Sequence, residues 1–135
     1  MKFNTKTLLI SLSLLAVSSV AIADIAVIAN SNSSASVSQK DVKKIFLGKK
    51  TSMTPVDQKD GNAIRDTFYQ SVAKKDASQM KAYWSKMIFS GKAIPPEVSE
   101  DDAAVKAWVA KNPKGIGYID SSSVDNSVKV LLTVK

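Results

Sequence analysis

One amphipathic stripe restricts the folds open to this chain more than any other feature. Between positions 80 and 88 the apolar residues recur at intervals of three and four, which places them on one side of an α-helix. Asp76 and Gln79 precede the stripe in the arrangement of a capping box, and Ser90-Gly91 follows it. A helix with such a face must cover another apolar layer, so we expect the stripe to be core rather than a cofactor-binding surface. It consists of Met80, Tyr83, Trp84, Met87 and Ile88.

The layer beneath this helix is predicted to be a small β-sheet. Residues 25–29 and 115–119 are short apolar runs bounded by polar residues, and a weaker strand begins at Thr54. The last strand, residues 128–134, has alternating apolar positions. Its buried face is predicted to consist of Val128, Val130, Leu132 and Val134.

Helix-start signals alternate with these strands. Ser38 with Asp41, and Ser99 with Asp102, have the spacing of an N-cap and its partner, and another helix opens at Asn62. The element order predicts an α/β fold with a small central sheet flanked by about four helices. Its core is predicted to contain Ile45, Phe46, Phe68, Trp84, Ile88 and Trp108.

The first 23 residues have the pattern of a secretory signal peptide. Two lysines precede an apolar segment at residues 8–20, and Ala21-Ile22-Ala23 is a small-x-small cleavage sequence. We therefore expect cleavage after Ala23 and a periplasmic chain that begins at Asp24. Residues 24–135 suffice for one domain. Serines interrupt the apolar segment, so we expect no membrane span after cleavage.

The charge of the chain favours anionic partners. Its formal net charge is +7, and the balance stays positive without Lys2 and Lys6 of the predicted signal peptide. Nearly all of the positive charge is lysine, with Arg65 the sole arginine, and aromatic residues are not interleaved with it. We therefore predict no nucleic-acid partner.

The residue inventory argues against an enzyme. The chain has no histidine and no cysteine, so the commonest general base, the thiolate nucleophile and the soft metal ligands are absent. Two Ser-x-x-Lys spacings, at Ser71 and Ser78, lack any partner motif. The acidic residues at positions 100–102 are explained by a helix start. We predict no catalytic residue, no cofactor and no metal.

A ligand site is predicted where the Asp60-Gly61 turn leads into the helix that opens at Asn62. A helix N-terminus presents unpaired backbone N–H groups and a partial positive charge, which suits a small anion. The predicted ligand-binding residues of this segment are Asp60, Gly61, Asn62, Ala63, Ile64 and Arg65. Hydroxyl groups of the polar loop after the first strand, Ser31, Ser33 and Ser34, are predicted to assist.

A series of short motifs carries a family resemblance. In order along the chain they are Ile45-Phe46-Leu47-Gly48-Lys49, Asp60-Gly61 before a helix with Phe68, Tyr83-Trp84, Phe89-Ser90-Gly91, Pro95-Pro96 and Gly115-Ile116-Gly117-Tyr118. Together they resemble the substrate-binding proteins of phosphate ABC importers, in particular short members of the type 2 periplasmic binding protein superfamily. The resemblance implies one α/β lobe, periplasmic residence, capture of phosphate or a similar anion at helix N-termini, and the membrane subunits of an ABC transporter as partners.

Two functions remain open at this stage. The first is a solute-binding module for phosphate or a related oxyanion. The second is a binding-protein lobe without a ligand that acts as an interaction module in the envelope, as a homodimer or with a larger partner. The family's phosphate loop reads Asp-Gly-Ser-Gly-Thr, whereas residues 60–64 here read Asp-Gly-Asn-Ala-Ile, and the chain has the length of a single lobe.

Overall fold

A computed structural model describes residues 24–135, and the predicted signal peptide lies outside them. Within that range the chain alternates between strands and helices, with a short 3-10 turn at Ser121–Ser123. In chain order the elements are β1 (Ile25–Asn30), α1 (Gln39–Phe46), β2 (Thr54–Gln58), α2 (Ala63–Ala73), α3 (Ala77–Ser90), β3 (Glu97–Ser99), α4 (Asp102–Lys111), β4 (Gly115–Asp120) and β5 (Val128–Val134).

The strands form one mixed sheet in the order β3-β2-β4-β1-β5. β2 is parallel to β3 and β4, whereas β1 is antiparallel to β4 and β5. β2 and β4 therefore finish at one end of the sheet, which we call the Gln58 end. β1 finishes at the opposite end, which we call the Thr54 end.

Apolar layers cover both faces of the sheet. α1, α2 and α3 pack on one face over the larger core, and α4 packs on the other face over a smaller aliphatic core that includes Val105 and Val109. Aromatic rings fill the larger core: Phe68 stacks on Tyr118 with 3.9 Å between ring centroids, and Phe46 meets Phe68 edge-on at 4.9 Å. The predicted α/β class, with a small sheet and four helices, is confirmed.

The start signals of α1 and α3 are confirmed, and that of α4 is wrong by two residues. Ser38 and Asp76 each cap their helix in a complete capping box. β3, which was not predicted, extends through Ser99, so α4 begins later than expected. Its N-cap is Asp101, whose carboxylate accepts the backbone N–H of Ala104 at 2.9 Å.

The stripe on α3 is buried over its first two turns only. Met80 and Trp84 are buried, whereas Ile88 is 57% exposed, so its predicted core position is wrong. The last turn of α3 extends beyond the core, and the chain reverses at Gly91 in a left-handed conformation. Trp108 is half-buried at the edge of the smaller core, where its indole N–H reaches the Glu97 carboxylate at 3.1 Å.

The predicted single face of β5 is also wrong. The register between β1 and β5 shifts at Val27 and Ile28, which pair with Leu132 and Val130. A bulge inverts the alternation of side chains. Leu132 and Val134 consequently pack on the larger core, whereas Val128 belongs to the smaller one and Val130 is 40% exposed.

Candidate functional site

The predicted site lies at the Gln58 end, where β2 passes through a tight turn into α2. Gly61 has a φ of +93°, a conformation that favours glycine. The backbone N–H of Asn62 donates to Lys59 O at 3.1 Å. Asn62 is the N-cap of α2, but its side chain makes no capping hydrogen bond. The turn is therefore stabilised by its own backbone and leaves the helix start uncapped.

The Asn62 side chain holds the loop to its surroundings. Its amide nitrogen donates to the Gln58 side-chain oxygen at 3.2 Å and to Glu100 O at 2.9 Å. Both amide hydrogens thus have protein acceptors. The predicted donor role of this side chain toward an anion would require breaking one of these bonds.

Two backbone donors remain at the start of α2. Arg65 N–H donates to Asn62 O at 3.0 Å, but the N–H groups of Ala63 and Ile64 have no acceptor within residues 24–135. Such groups at the positive end of a helix dipole suit an anionic oxygen. Within the helix start at residues 62–65, these two N–H groups are the backbone donors without an acceptor in the described chain.

A buried carboxylate, which was not among the predicted site residues, lies directly beneath this loop. Asp57 is 3% exposed. It accepts the hydroxyl of Tyr69 at 2.8 Å, the hydroxyl of Tyr118 at 2.5 Å and the N–H of Gln58 at 2.8 Å. Burial raises the pKa of both tyrosines, and the Asp57 charge raises it further. Both phenols are therefore neutral donors at physiological pH.

Arg65 completes this cluster from the side. Its Nε lies 3.4 Å from Asp57 Oδ2, its Nη1 lies 3.6 Å from Asp60 Oδ1, and its side chain is 12% exposed. Burial lowers the pKa of Arg65, but Asp57, the two tyrosines and Asp60 together raise it above the usual value. The guanidinium thus faces inward and neutralises Asp57. The guanidinium therefore already has protein partners, and the ligand-binding role of Arg65 stays a prediction.

Gln58 and Asp102 form a second polar cluster that was missed. Gln58 is 1% exposed, and its amide donates to Asp102 Oδ1 at 2.7 Å and to Tyr118 O at 3.0 Å. The other oxygen of Asp102 accepts Asp120 N–H and the Ser123 hydroxyl. Polar residues at the end of a buried strand were the available sequence signal. Two of their partners, Asp102 and Tyr118, are 44 to 61 positions away.

An open depression of about 670 Å³ lies between the N-termini of α2 and α4. Residues 61–64 line one side, and the carboxyl-bearing Glu100, Asp101 and Asp102 line the other. Asp101 and Asp102 are engaged in the hydrogen bonds described above. Glu100 is largely exposed and lies 3.7 Å from Lys59 Nζ. A small anion could contact the two backbone donors, but nearby carboxylates oppose a highly charged one.

The predicted helper serines lie at the other end of the sheet. Asn62 contacts Glu100, just before α4, whereas Asn30 donates to Val109 O and Ala110 O near its end. α4 has ten residues, which at a rise of about 1.5 Å each separates the two places by about 15 Å. The structure therefore does not bring Ser31, Ser33 and Ser34 together with residues 60–65. The cause is the antiparallel direction of β1.

Residues 24–135 contain no group of three or more His, Cys, Asp or Glu side chains arranged to hold a metal ion. Over the same range, no helix combines the length and apolarity required to cross a membrane.

Comparison with known proteins supports the fold. No family model matches the sequence, and no curated protein matches it. A solved structure from Clostridium perfringens, described as a phosphate ABC transporter substrate-binding protein with bound phosphate, matches with a TM-score of 0.65 and 25% identity over 80% of this chain and 44% of that one. An ABC-type phosphate transport receptor from Vibrio cholerae matches with a TM-score of 0.64 and 20% identity. That match covers 80% of this chain and 45% of the receptor.

The chain therefore has a periplasmic-binding-protein-like fold of the kind found in phosphate ABC transporter substrate-binding proteins, and the predicted resemblance is confirmed at this level. It spans less than half the length of these two structures. Both are described as phosphate transport proteins.

Proposed function

We propose that this chain is a non-enzymatic, periplasmic solute-binding lobe that binds phosphate or a related small oxyanion at the N-terminus of α2 and serves an ABC importer. The observation that carries the proposal is the pair of unpaired N–H groups at Ala63 and Ile64, in a fold shared with a protein solved with bound phosphate. The transporter's membrane subunits are the partners in this proposal.

The two donors define what kind of binding is expected. An anion on the surface of one lobe keeps part of its hydration shell, and Asn62 and Arg65 are occupied by protein partners. We therefore expect affinity weaker than micromolar for the lobe alone. A second chain closing over the depression, either another copy or a larger protein, would exclude water and strengthen the same hydrogen bonds.

Export is part of this proposal. We propose that residues 1–23 are removed and that the periplasmic domain comprises residues 24–135. Mass spectrometry of periplasmic protein should then give Asp24 as the first residue, whereas an intact Met1 in the cytoplasm would contradict export.

Calorimetric titration with phosphate tests the site, and Ala63→Pro is the sharpest variant. Ala63 is exposed and occupies the first position of α2, where proline is tolerated. Asn62 before it is already extended, at φ −70° and ψ 127°, as a following proline requires. The substitution thus deletes one donor without disturbing the helix. We expect one-to-one binding that survives moderate salt and weakens about tenfold in the variant.

Ala77→Pro is the matched control. Ala77 is the first residue of α3, after the extended Asp76, and it lies outside the depression. This variant should bind phosphate like the unmodified protein, and both variants should melt within a few degrees of it. Heat that disappears at moderate salt and is equal in all three proteins would indicate diffuse attraction to lysines and would contradict the site.

A further inference from the structure

Three exposed apolar side chains lie close together in sequence at the Thr54 end, away from the proposed anion site. Ile88 is 57% exposed, Phe89 is 96% exposed and Ile94 is 85% exposed. All three lie within seven consecutive residues at the end of α3 and in the segment that follows it. We call these three side chains the apolar corner. Exposed apolar surface of this kind is a candidate for an interaction site.

The backbone beneath the apolar corner is well fixed. Gly91 N–H donates to Ile88 O, and Lys92 N–H donates to Met87 O, so the chain folds back over the end of α3. Ala93 then packs so closely on Gly48 that a Cβ on that glycine would lie 2.8 Å from the Ala93 Cβ. The backbone that carries the apolar corner is therefore held by hydrogen bonds and by close packing on Gly48.

The surroundings of the apolar corner are predominantly basic. Residues 42–56 and 77–96 contain no Asp or Glu and seven lysines. Of these lysines, Lys50 alone forms an ion pair within residues 24–135, with Asp41 at 3.0 Å. Lys50 and Lys92 line a groove of about 430 Å³ together with Ile94 and Trp84, and Glu97 is the one acidic residue there. The charge that this surface complements is negative.

We propose that the apolar corner and its lysines bind an anionic lipid surface. Phe89 and its two neighbours enter the interfacial region of a bilayer, and the unpaired lysines attract acidic headgroups. Three projecting side chains are far fewer than the roughly 20–30 residues per side of a stable protein–protein interface. A lipid surface needs no matching geometry, because its headgroups can arrange themselves around the lysines.

Vesicle co-sedimentation tests this proposal with protein produced from the full-length sequence. We expect binding to vesicles of phosphatidylcholine mixed with phosphatidylglycerol, little binding to phosphatidylcholine alone, and weakening with salt. Phe89→Ser should weaken binding about tenfold through lost apolar transfer. Lys86→Gln and Lys92→Gln should each weaken it about fivefold. Phosphate binding should not change, because these residues lie outside the proposed anion site.

Matched controls distinguish binding through the apolar corner from nonspecific binding to vesicles. Val98→Ser removes another exposed apolar side chain, on β3, and Lys111→Gln removes a lysine on α4; neither should affect vesicle binding. Phe89→Ser should keep the unmodified melting temperature, since the side chain is 96% exposed. Absence of vesicle binding, or binding unchanged by Phe89→Ser, overturns the proposal. The proposal is also overturned if the protein forms a dimer that Phe89→Ser abolishes. The same holds if it captures an acidic envelope protein without binding vesicles and Phe89→Ser abolishes that capture.

Discussion

The two ends of the sheet differ in whether their polar side chains are paired within the fold or exposed to solvent. At the Gln58 end, Asp57, Gln58 and Arg65 are buried or nearly so, and each has partners within the fold. At the Thr54 end, lysines such as Lys49 and Lys92 are exposed and have no ion pair within residues 24–135. The buried side-chain charge at the Gln58 end is paired within the fold, and two backbone donors at the start of α2 remain there for a ligand. Charge at the Thr54 end remains available to an external partner.

The difference follows from the cost of burying charge. An isolated carboxylate in the core would be strongly unfavourable, so Asp57 requires both tyrosine hydroxyls and the Arg65 guanidinium. A lysine on the surface has no such requirement, because water solvates its ammonium group. Hence the most conspicuous polar residues near the candidate site are those least able to contact a ligand.

The largest expected effect is at the Thr54 end, where α3 leaves the core. Trp84→Ala should lower the free energy of unfolding by about 3–5 kcal/mol, because the buried indole leaves a cavity. Ile88→Ala, one turn later on the same stripe, should cost about 0.5 kcal/mol or less, since that side chain is largely exposed. Denaturant unfolding of both variants measures the difference. Similar losses would mean that α3 is buried to its end.

A second comparison removes one tyrosine hydroxyl oxygen at each end of the sheet. Tyr69→Phe deletes a hydroxyl that donates to the buried Asp57 carboxylate, so it should cost about 1–3 kcal/mol. Tyr83→Phe deletes a hydroxyl that donates to the neutral Leu47 carbonyl at 2.6 Å, where the loss should be about 0.5–1.5 kcal/mol. The same unfolding experiment compares the two. A larger loss of stability for Tyr83→Phe than for Tyr69→Phe would contradict the claim that the buried Asp57 carboxylate depends on its tyrosine donors.

The last expected effect appears at alkaline pH. Burial raises the pKa of Tyr83, and it raises the pKa of Tyr69 and Tyr118 with a further contribution from Asp57. Because the folded-state pKa of each tyrosine exceeds the unfolded value near 10, the contribution of these tyrosines to stability is constant below about pH 10 and falls above it.

Phenolate absorbance during an alkaline titration, recorded beside circular dichroism, checks this expectation. Tyr83 should ionise first, and Tyr69 and Tyr118 should ionise together with unfolding. Ionisation of all three tyrosines in a chain that is still folded would show that Asp57 lies in a more polar environment than its burial indicates.

The start of α2 is the part of the candidate site that the sequence predicted well. The Asp60-Gly61 turn and the helix after Asn62 are local features, and the structure contains both. The inward direction of Arg65 and the occupied amide of Asn62 were not predictable in the same way. They depend on Asp57 and on Glu100, which reach the site through the sheet and the start of α4.

By itself, the sequence determined the features whose causes lie within a few residues. Capping boxes at Ser38 and Asp76, the stop at Gly91 and the apolar runs of the strands depend on hydrogen bonds and periodicity along one segment. The α/β class follows from their alternation.

Only the tertiary structure decided which segments meet. The antiparallel pairing of β1 separates Ser31 from Asn62, and a bulge between β1 and β5 divides one apolar strand between two cores. The end of the core beneath α3 leaves Ile88 in solvent. Strand direction, register and burial depend on partners tens of residues away, and no local pattern encodes those partners.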